Sequence, residues 1–142
     1  MANPIRCEVE IRRSPEDVFG YLVSLENETQ WNQQVAECAH VSGTPATVGA
    51  QYRRTQKMMG QEMTTTVELT AVEPRKRFAF TARGGPATIK GTYDVEQVDG
   101  GSRVVAALDA GMMTTPMRPL ITPQLNASLA ELKRLLELDA SS

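Results

Sequence analysis

The chain is short of the residues that several kinds of functional site require. Aromatic residues make up 5% of its 142 residues, and histidine occurs once, as His40. Lys and Arg together number 15 against 17 Asp and Glu, which gives a net charge of -2. A chain without excess positive charge has no field to hold nucleic acid, and few aromatics leave little surface on which bases could stack. We therefore expect no nucleic-acid partner.

The sequence also lacks long apolar runs, and its first residues include neither a basic segment nor an apolar one. No segment approaches the roughly 20 apolar residues that cross a bilayer. The opening Met1-Ala2-Asn3-Pro4 lacks the features of a secretory signal. We expect a cytoplasmic protein with no membrane span, in which Cys7 and Cys38 remain free thiols. Since one histidine does not build the usual zinc site, we also expect no metal and no other cofactor.

The two cysteines differ in what their neighbours predict. Cys7 alternates with Ile5 and Val9 on a strand pattern, which is typical of a small core residue. Cys38 and His40 are two residues apart, so they share one face of a predicted strand. That spacing allows either a thiol–imidazole pair or a core thiol beside a partly exposed histidine.

The first thirty residues predict a strand followed by two short helices. Residues 5–11 alternate apolar and charged side chains, as a half-buried strand does. Ser14 is a favourable N-cap, and Pro15 suits the first position of a helix that we predict to end near Leu25. A second short helical turn is predicted from Asn27 to Trp31.

A meander of six strands is predicted from Val35 to Ala110. Turn signals rich in glycine and proline separate segments rich in Thr, Val, Tyr and Phe, and short connections make consecutive strands antiparallel. The predicted strands are Val35–Val41, Gly49–Met58, Glu62–Val72, Arg77–Ala82, Thr88–Gln97 and Arg103–Ala110.

Prolines shape the prediction for the end of the chain. Pro116, Pro119 and Pro123 predict that no regular helix passes through this segment. The last helix is predicted from Gln124 to about Asp139, with Thr122 as its N-cap and Pro123 in its first turn. Leucines at helical spacing form its apolar stripe, namely Leu125, Leu129, Leu132 and Leu136.

This order of elements predicts an α+β fold. A seven-stranded antiparallel curved sheet wraps around the long C-terminal helix, and two short helices lie between strands 1 and 2. We expect a single domain over residues 1–142, with a frayed tail at about 140–142. Because a twisted sheet around one helix rarely fills its interior, we predict a cavity between them.

Several local segments strengthen this prediction when they are taken together. They are Arg13-Ser14-Pro15-Glu16-Asp17-Val18-Phe19, Trp31, Val48-Gly49-Ala50-Gln51-Tyr52, Val72-Glu73-Pro74-Arg75-Lys76-Arg77-Phe78 and Gly91-Thr92-Tyr93-Asp94-Val95. With these segments the chain resembles the helix-grip superfamily of START domains, birch-pollen-allergen-like proteins and the bacterial polyketide cyclase/dehydrase-like group (SRPBCC), over about residues 5–138. The resemblance implies a hydrophobic cavity under the C-terminal helix. It does not imply one reaction, since such proteins include lipid carriers, hormone sensors and cyclases.

Strand alternation predicts which side chains face the cavity. Two clusters of methionine, Met58, Met59 and Met63 and then Met112, Met113 and Met117, predict an adaptable gate at its entrance, the alternative being gap-filling core methionine. In the resembled fold this gate lies beside the turn Gly84-Gly85-Pro86. The predicted ligand-binding residues are Tyr52, Arg54, Gln56, Met58, Met63, Thr65, Phe78, Phe80, Tyr93, Met112, Met113, Met117, Leu120, Gln124 and Ser128.

Arg54 is the most informative of these residues, because an inward arginine needs an acid, a bound anion or water. It either anchors an acidic ligand group, extends to the cavity mouth or pairs with a carboxylate such as Glu37 or Asp109. Trp31 is predicted to be a structural plug rather than a surface on which a ligand stacks.

Three functions follow from these observations. The favoured one is binding of a small hydrophobic ligand, such as a lipid, isoprenoid or polyketide with an acidic group, by a carrier or sensor. One alternative is a cyclase or dehydratase without metal or nucleotide cofactor, for which Arg54, Tyr93 and His40 are candidates but no catalytic residue is assigned. The other is a protein-interaction module. A monomer and a homodimer both remain open.

Overall fold

The computed structural model describes residues 3–58, 60–85 and 87–140. The expectations for Met59, for Pro86 and for the tail residues 141–142 lie outside the described residues, as does that for the side chain of Met58.

Strands and helices follow one another in the predicted order. Ser14 caps the first helix, and its hydroxyl accepts a hydrogen bond from the Asp17 amide at 3.2 Å. The elements are β1 (Ile5–Ile11), α1 (Pro15–Val23), a 3-10 turn (Leu25–Asn27), α2 (Glu28–Trp31), β2 (Val35–Ser42), β3 (Gln51–Met58), β4 (Gln61–Glu73), β5 (Arg77–Arg83), β6 (Ile89–Val98), β7 (Gly101–Asp109), a second 3-10 turn (Gly111–Met113) and α3 (Thr114–Ala140).

The described residues form one seven-stranded sheet in the order β1-β7-β6-β5-β4-β3-β2. Every neighbouring pair of strands is antiparallel. The α+β helix-grip prediction is therefore confirmed. Among the described residues, no helix combines the length and the apolarity that a bilayer crossing requires.

The inner face of the sheet and the leucine stripe of α3 enclose the core. Leu129, Leu132 and Leu136 are at most 4% exposed, and they join a core cluster that includes Phe19 of α1 and Phe78 of β5. The predicted strand alternation holds here, since the residues assigned to the inner face of β4, from Thr65 to Leu69, are buried at every second position.

The predicted start of the last helix was wrong. The helix begins at Thr114, ten residues before Gln124, and runs through Pro119 and Pro123. Pro116 lies in the first turn, where amide groups have no partner within the helix. Pro119 and Pro123 lie one turn apart on the exposed side of the helix. The carbonyl groups that lose a helical partner belong to Thr115 and Pro119, which are both exposed, so water can replace the lost hydrogen bonds.

Candidate functional site

A cavity of about 90 Å³ lies between the sheet and the first half of α3. Its apolar wall includes Phe80, Leu108 and Leu125. Polar residues on one side, among them the exposed Lys57, open the cavity to the surface. The full lining consists of Glu28, Asn32, Gln34, Arg54, Gln56, Lys57, Phe80, Ile89, Tyr93, Leu108, Ile121, Gln124, Leu125 and Ser128.

A smaller chamber of about 10 Å³ adjoins this cavity. Arg54, Gln56 and Ile89 line both spaces, so these three side chains form the boundary between them. The remaining walls of the chamber are Met63, Thr65, Ala82, Gly85, Ala87 and Met117.

A buried ion pair forms the floor of the cavity. Nη1 of Arg54 donates to both carboxylate oxygens of Glu28, at 3.2 and 3.1 Å. Arg54 is 7% exposed and Glu28 is 4% exposed. The Arg54 guanidinium also lies over the ring of Phe80, 5.8 Å from its centroid. Arginine at this position is therefore held by the protein itself.

Neither carboxylate proposed from the sequence is the partner of Arg54. Glu37 is exposed, because the pairing of β2 with β3 shifts register between Val35 and Glu37. Asp109 accepts hydrogen bonds from the Gly111 amide at 2.8 Å and from the Thr114 hydroxyl at 3.3 Å. Both alternatives were wrong, although pairing with a carboxylate was among the roles predicted for Arg54.

Glu28 reaches the cavity because α2 is anchored by its last residue. Trp31 is 1% exposed, and Glu28 precedes it by three residues, so both side chains lie on the buried side of the helix. The sequence reasoning missed Glu28, but the spacing to Trp31 was a signal that could have found it. Trp31 packs edge-on against Tyr93 with ring centroids 6.1 Å apart, in keeping with its predicted role as a plug.

Aromatic rings support the other side of the cavity floor. The Tyr93 ring stacks with Phe78 at 5.2 Å and with Phe80 at 6.1 Å between centroids. Burial raises the pKa of the Tyr93 phenol, and the negative charge of Glu28 raises it further. Tyr93, which lines the cavity, therefore keeps its phenol protonated at physiological pH.

Cys38 and His40 adopt the second of the two predicted arrangements. Burial raises the pKa of the half-buried Cys38 thiol to about 12, and the charge of Glu28 contributes in the same direction. The His40 Nε2 atom lies 2.7 Å from the carbonyl oxygen of Gly43, and its ring meets Tyr52 edge-on. A protonated thiol beside a histidine whose Nε2 contacts the Gly43 carbonyl oxygen is not an activated nucleophile.

The predicted ligand-binding residues separate into three groups. Those that line one or both spaces are Arg54, Gln56, Met63, Thr65, Phe80, Tyr93, Met117, Gln124 and Ser128. Tyr52 and Phe78 are instead fully buried in the core, where the Tyr52 hydroxyl accepts a hydrogen bond from the Ala46 amide at 3.0 Å. Met112, Met113 and Leu120 are exposed and do not line the cavity.

The predicted methionine gate forms only in part. Met63 and Met117 come together at the small chamber, beside Gly85. Met112 is 95% exposed in the 3-10 turn before α3 and lines neither space. Lining residues outside the predicted ligand-binding set are Glu28, Asn32, Gln34, Lys57, Ile89, Leu108, Ile121 and Leu125, of which Ile89 and Leu108 agree with the inward face that strand alternation predicts.

Comparison with known proteins places the chain within a group of similar folds. A family model described as "Polyketide cyclase / dehydrase and lipid transport" matches residues 5–137. A search of curated proteins finds no match.

Solved structures give the same result for the fold. A START superfamily protein from Mycobacterium smegmatis is 14% identical with a TM-score of 0.79, and the match covers 96% of this chain and 99% of that one. A protein from Thermus thermophilus is 21% identical with a TM-score of 0.79 over 98% and 99% of the two chains. The di-domain ARO/CYC StfQ from the steffimycin biosynthetic pathway is 14% identical with a TM-score of 0.77, over 99% of this chain and 53% of StfQ. At these identities the likeness is one of fold.

Proposed function

The chain belongs to the polyketide cyclase, dehydrase and lipid transport family, and on that premise we propose that its cavity binds a small apolar molecule with a neutral polar group, as a carrier or sensor. The observation that supports this most directly is the closed ion pair between Arg54 and Glu28 at the floor of a cavity that is lined by both apolar and neutral polar side chains. Apolar walls with a few convergent polar groups are typical of small-molecule sites.

The ion pair favours a neutral polar group over the acidic group that the sequence first suggested. The charge of Arg54 is already balanced by Glu28, whose two carboxylate oxygens both accept from Nη1. A ligand carboxylate at this floor would add a second negative charge beside Glu28 in a poorly solvated place. A ketone, ester or hydroxyl oxygen adds no charge.

The size of the cavity limits what it encloses. At about 90 Å³ it is smaller than the roughly 150 Å³ apolar cavity that takes up benzene. It therefore encloses a small molecule or one end of a longer one. The polar side lined by Asn32, Gln34 and Lys57 provides the exit through which a longer lipid or polyketide extends to the surface.

Cyclase-type chemistry is the second candidate, and Tyr93 is the observation that favours it. Its protonated phenol lines the cavity and could donate to a carbonyl oxygen on which negative charge develops. Among the described lining residues, Glu28 carries the carboxylate that could act as a general base, and this carboxylate is already paired with Arg54. Conversion of a linear polyketone by the wild-type protein and not by Tyr93→Phe would favour this candidate.

Native mass spectrometry of freshly purified protein, followed by extraction, tests the binding function. A matched control is Ser128→Leu, which places a large apolar side chain in the cavity from α3. We expect a neutral apolar adduct on the wild-type protein and none on the variant. The same adduct on both proteins, or a wild-type protein that takes up no apolar probe after purification, would contradict the proposal.

A further inference from the structure

Two residues that line the small chamber each carry a buried donor group that is not used by the fold. Arg54 Nε and the Thr65 hydroxyl are shielded from solvent, and within the described residues neither has a hydrogen-bond partner. Both residues are more than nine-tenths buried, at 7% and 6% exposed. Buried polar groups are nearly always hydrogen-bonded, because a buried group without a partner bears the full cost of its removal from water. Two such groups on directly paired residues that line one chamber indicate a bound partner.

The fold places these two groups side by side. Arg54 on β3 pairs directly with Thr65 on β4, so their side chains project from neighbouring positions on the inner face. Both line the small chamber. Arg54 is fixed there because its Nη1 is held by Glu28, while Nε remains free to donate.

The chamber has room for a single oxygen atom. Its volume of about 10 Å³ is at the lower limit for one water-sized group. An arginine Nε is a donor only, and a threonine hydroxyl can donate, so the two together are suited to one acceptor. Apart from Arg54, Thr65 and Gln56, the walls are apolar or glycine, including Met63, Ile89 and Met117.

We propose that Arg54 Nε and Thr65 Oγ1 form a two-donor subsite for the neutral carbonyl oxygen of a ketone, ester or amide, whose carbon skeleton lies in the larger cavity. This inference rests on the proposed binding function and defines the chemistry of its ligand. The carbonyl enters beside Gln56 and Ile89, which separate the two spaces. The ligand is neutral because Glu28 already balances the arginine.

The test compares two probes of the same shape, cyclopentanone and methylenecyclopentane, which differ in having a carbonyl oxygen or a methylene group. Binding to the full-length protein is followed by the fluorescence of the single tryptophan, Trp31, which contacts Tyr93 in the cavity wall. The variants are Thr65→Val, which removes the hydroxyl at constant shape, and Thr65→Ser, which restores it. Thr66→Val on the exposed face of the same strand is the matched control.

We expect Thr65→Val to weaken cyclopentanone binding about fivefold relative to methylenecyclopentane, as for one lost hydrogen bond. Thr65→Ser and Thr66→Val should keep the wild-type ratio. The infrared carbonyl stretch of bound cyclopentanone should lie at higher frequency in Thr65→Val, because the carbonyl accepts one bond fewer. An unchanged affinity ratio and an unchanged stretch would overturn the subsite and leave the binding function standing. If the wild-type protein binds neither probe, both proposals fail.

The midpoint temperature of thermal unfolding, measured without ligand, gives a second and independent test of the subsite. Because the Thr65 hydroxyl has no protein partner within the described residues, Thr65→Val should leave the midpoint unchanged or raise it. A midpoint lowered by several degrees would show that the hydroxyl is bonded within the fold, and would overturn the subsite.

Discussion

The two halves of α3 cover the same sheet in different ways. Its second half presents Leu129, Leu132 and Leu136 to a filled core. Its first half presents Gln124 to the cavity, beside Ile121 and Leu125, and Ser128 joins them just past the midpoint. One helix thus closes a packed core at one end and a binding space at the other. The difference lies in side-chain chemistry rather than in backbone architecture.

Residues on the sheet explain why the space under the first half stays open. The Phe80 ring lies against Gly91 on the neighbouring strand, where a Cβ atom would overlap the ring. Glycine therefore lets this aromatic side chain lie flat along the sheet instead of filling the gap below α3. Arg54 and Glu28 bring charges that require each other and cannot be packed over by apolar groups alone.

Removing one charge of the buried pair should have the largest effect on stability. Glu28→Ala leaves Arg54 buried without a counter-charge, and we expect it to lower the free energy of unfolding by about 3–5 kcal/mol. Urea denaturation measures the loss. Glu26→Ala, an exposed acid in the preceding 3-10 turn, is the control and should change stability by at most about 0.5 kcal/mol.

The double variant Glu28→Leu with Arg54→Met sharpens this test. Replacing both charges by apolar groups should recover most of the stability, because the cost in the single variant comes from an unpaired charge. A single variant as stable as the wild-type protein would show that the pair does not hold the cavity floor.

Truncating matched leucines in the two halves of α3 tests the comparison itself. Leu132 is fully buried in the packed half, so Leu132→Ala should cost about 4 kcal/mol. Leu125 lines the cavity and loses fewer contacts, so Leu125→Ala should cost about 2 kcal/mol. Urea denaturation of both variants gives the difference, and equal losses would mean that the two halves are packed alike.

Much of the fold was predictable from the sequence because its signals are periodic. Alternation along β3, β4 and β6 correctly predicted that Arg54, Thr65 and Tyr93 face inward. The leucine spacing located the core side of α3. Patterns of this kind extend over many residues, so single exceptions do not hide them.

The cavity floor was harder to predict because its key acid lies on a very short element. The four residues of α2 are too few for a periodic pattern, so the three-residue spacing to Trp31 was the one signal for the burial of Glu28. The start of α3 was missed for a different reason. Pro119 and Pro123 break the local rule for helix interiors, yet their position on the exposed side of the helix makes the departure tolerable.

Titration of methylenecyclopentane into wild-type protein, Leu125→Ala and Ser128→Leu tests the central claim most directly. Ser128→Leu fills the cavity, and we expect its free energy of unfolding to stay within about 1.5 kcal/mol of the wild-type value. The account predicts that Leu125→Ala binds the probe at least as tightly as the wild-type protein, and that Ser128→Leu loses binding. Equal affinity in all three proteins would contradict a ligand cavity under the first half of α3.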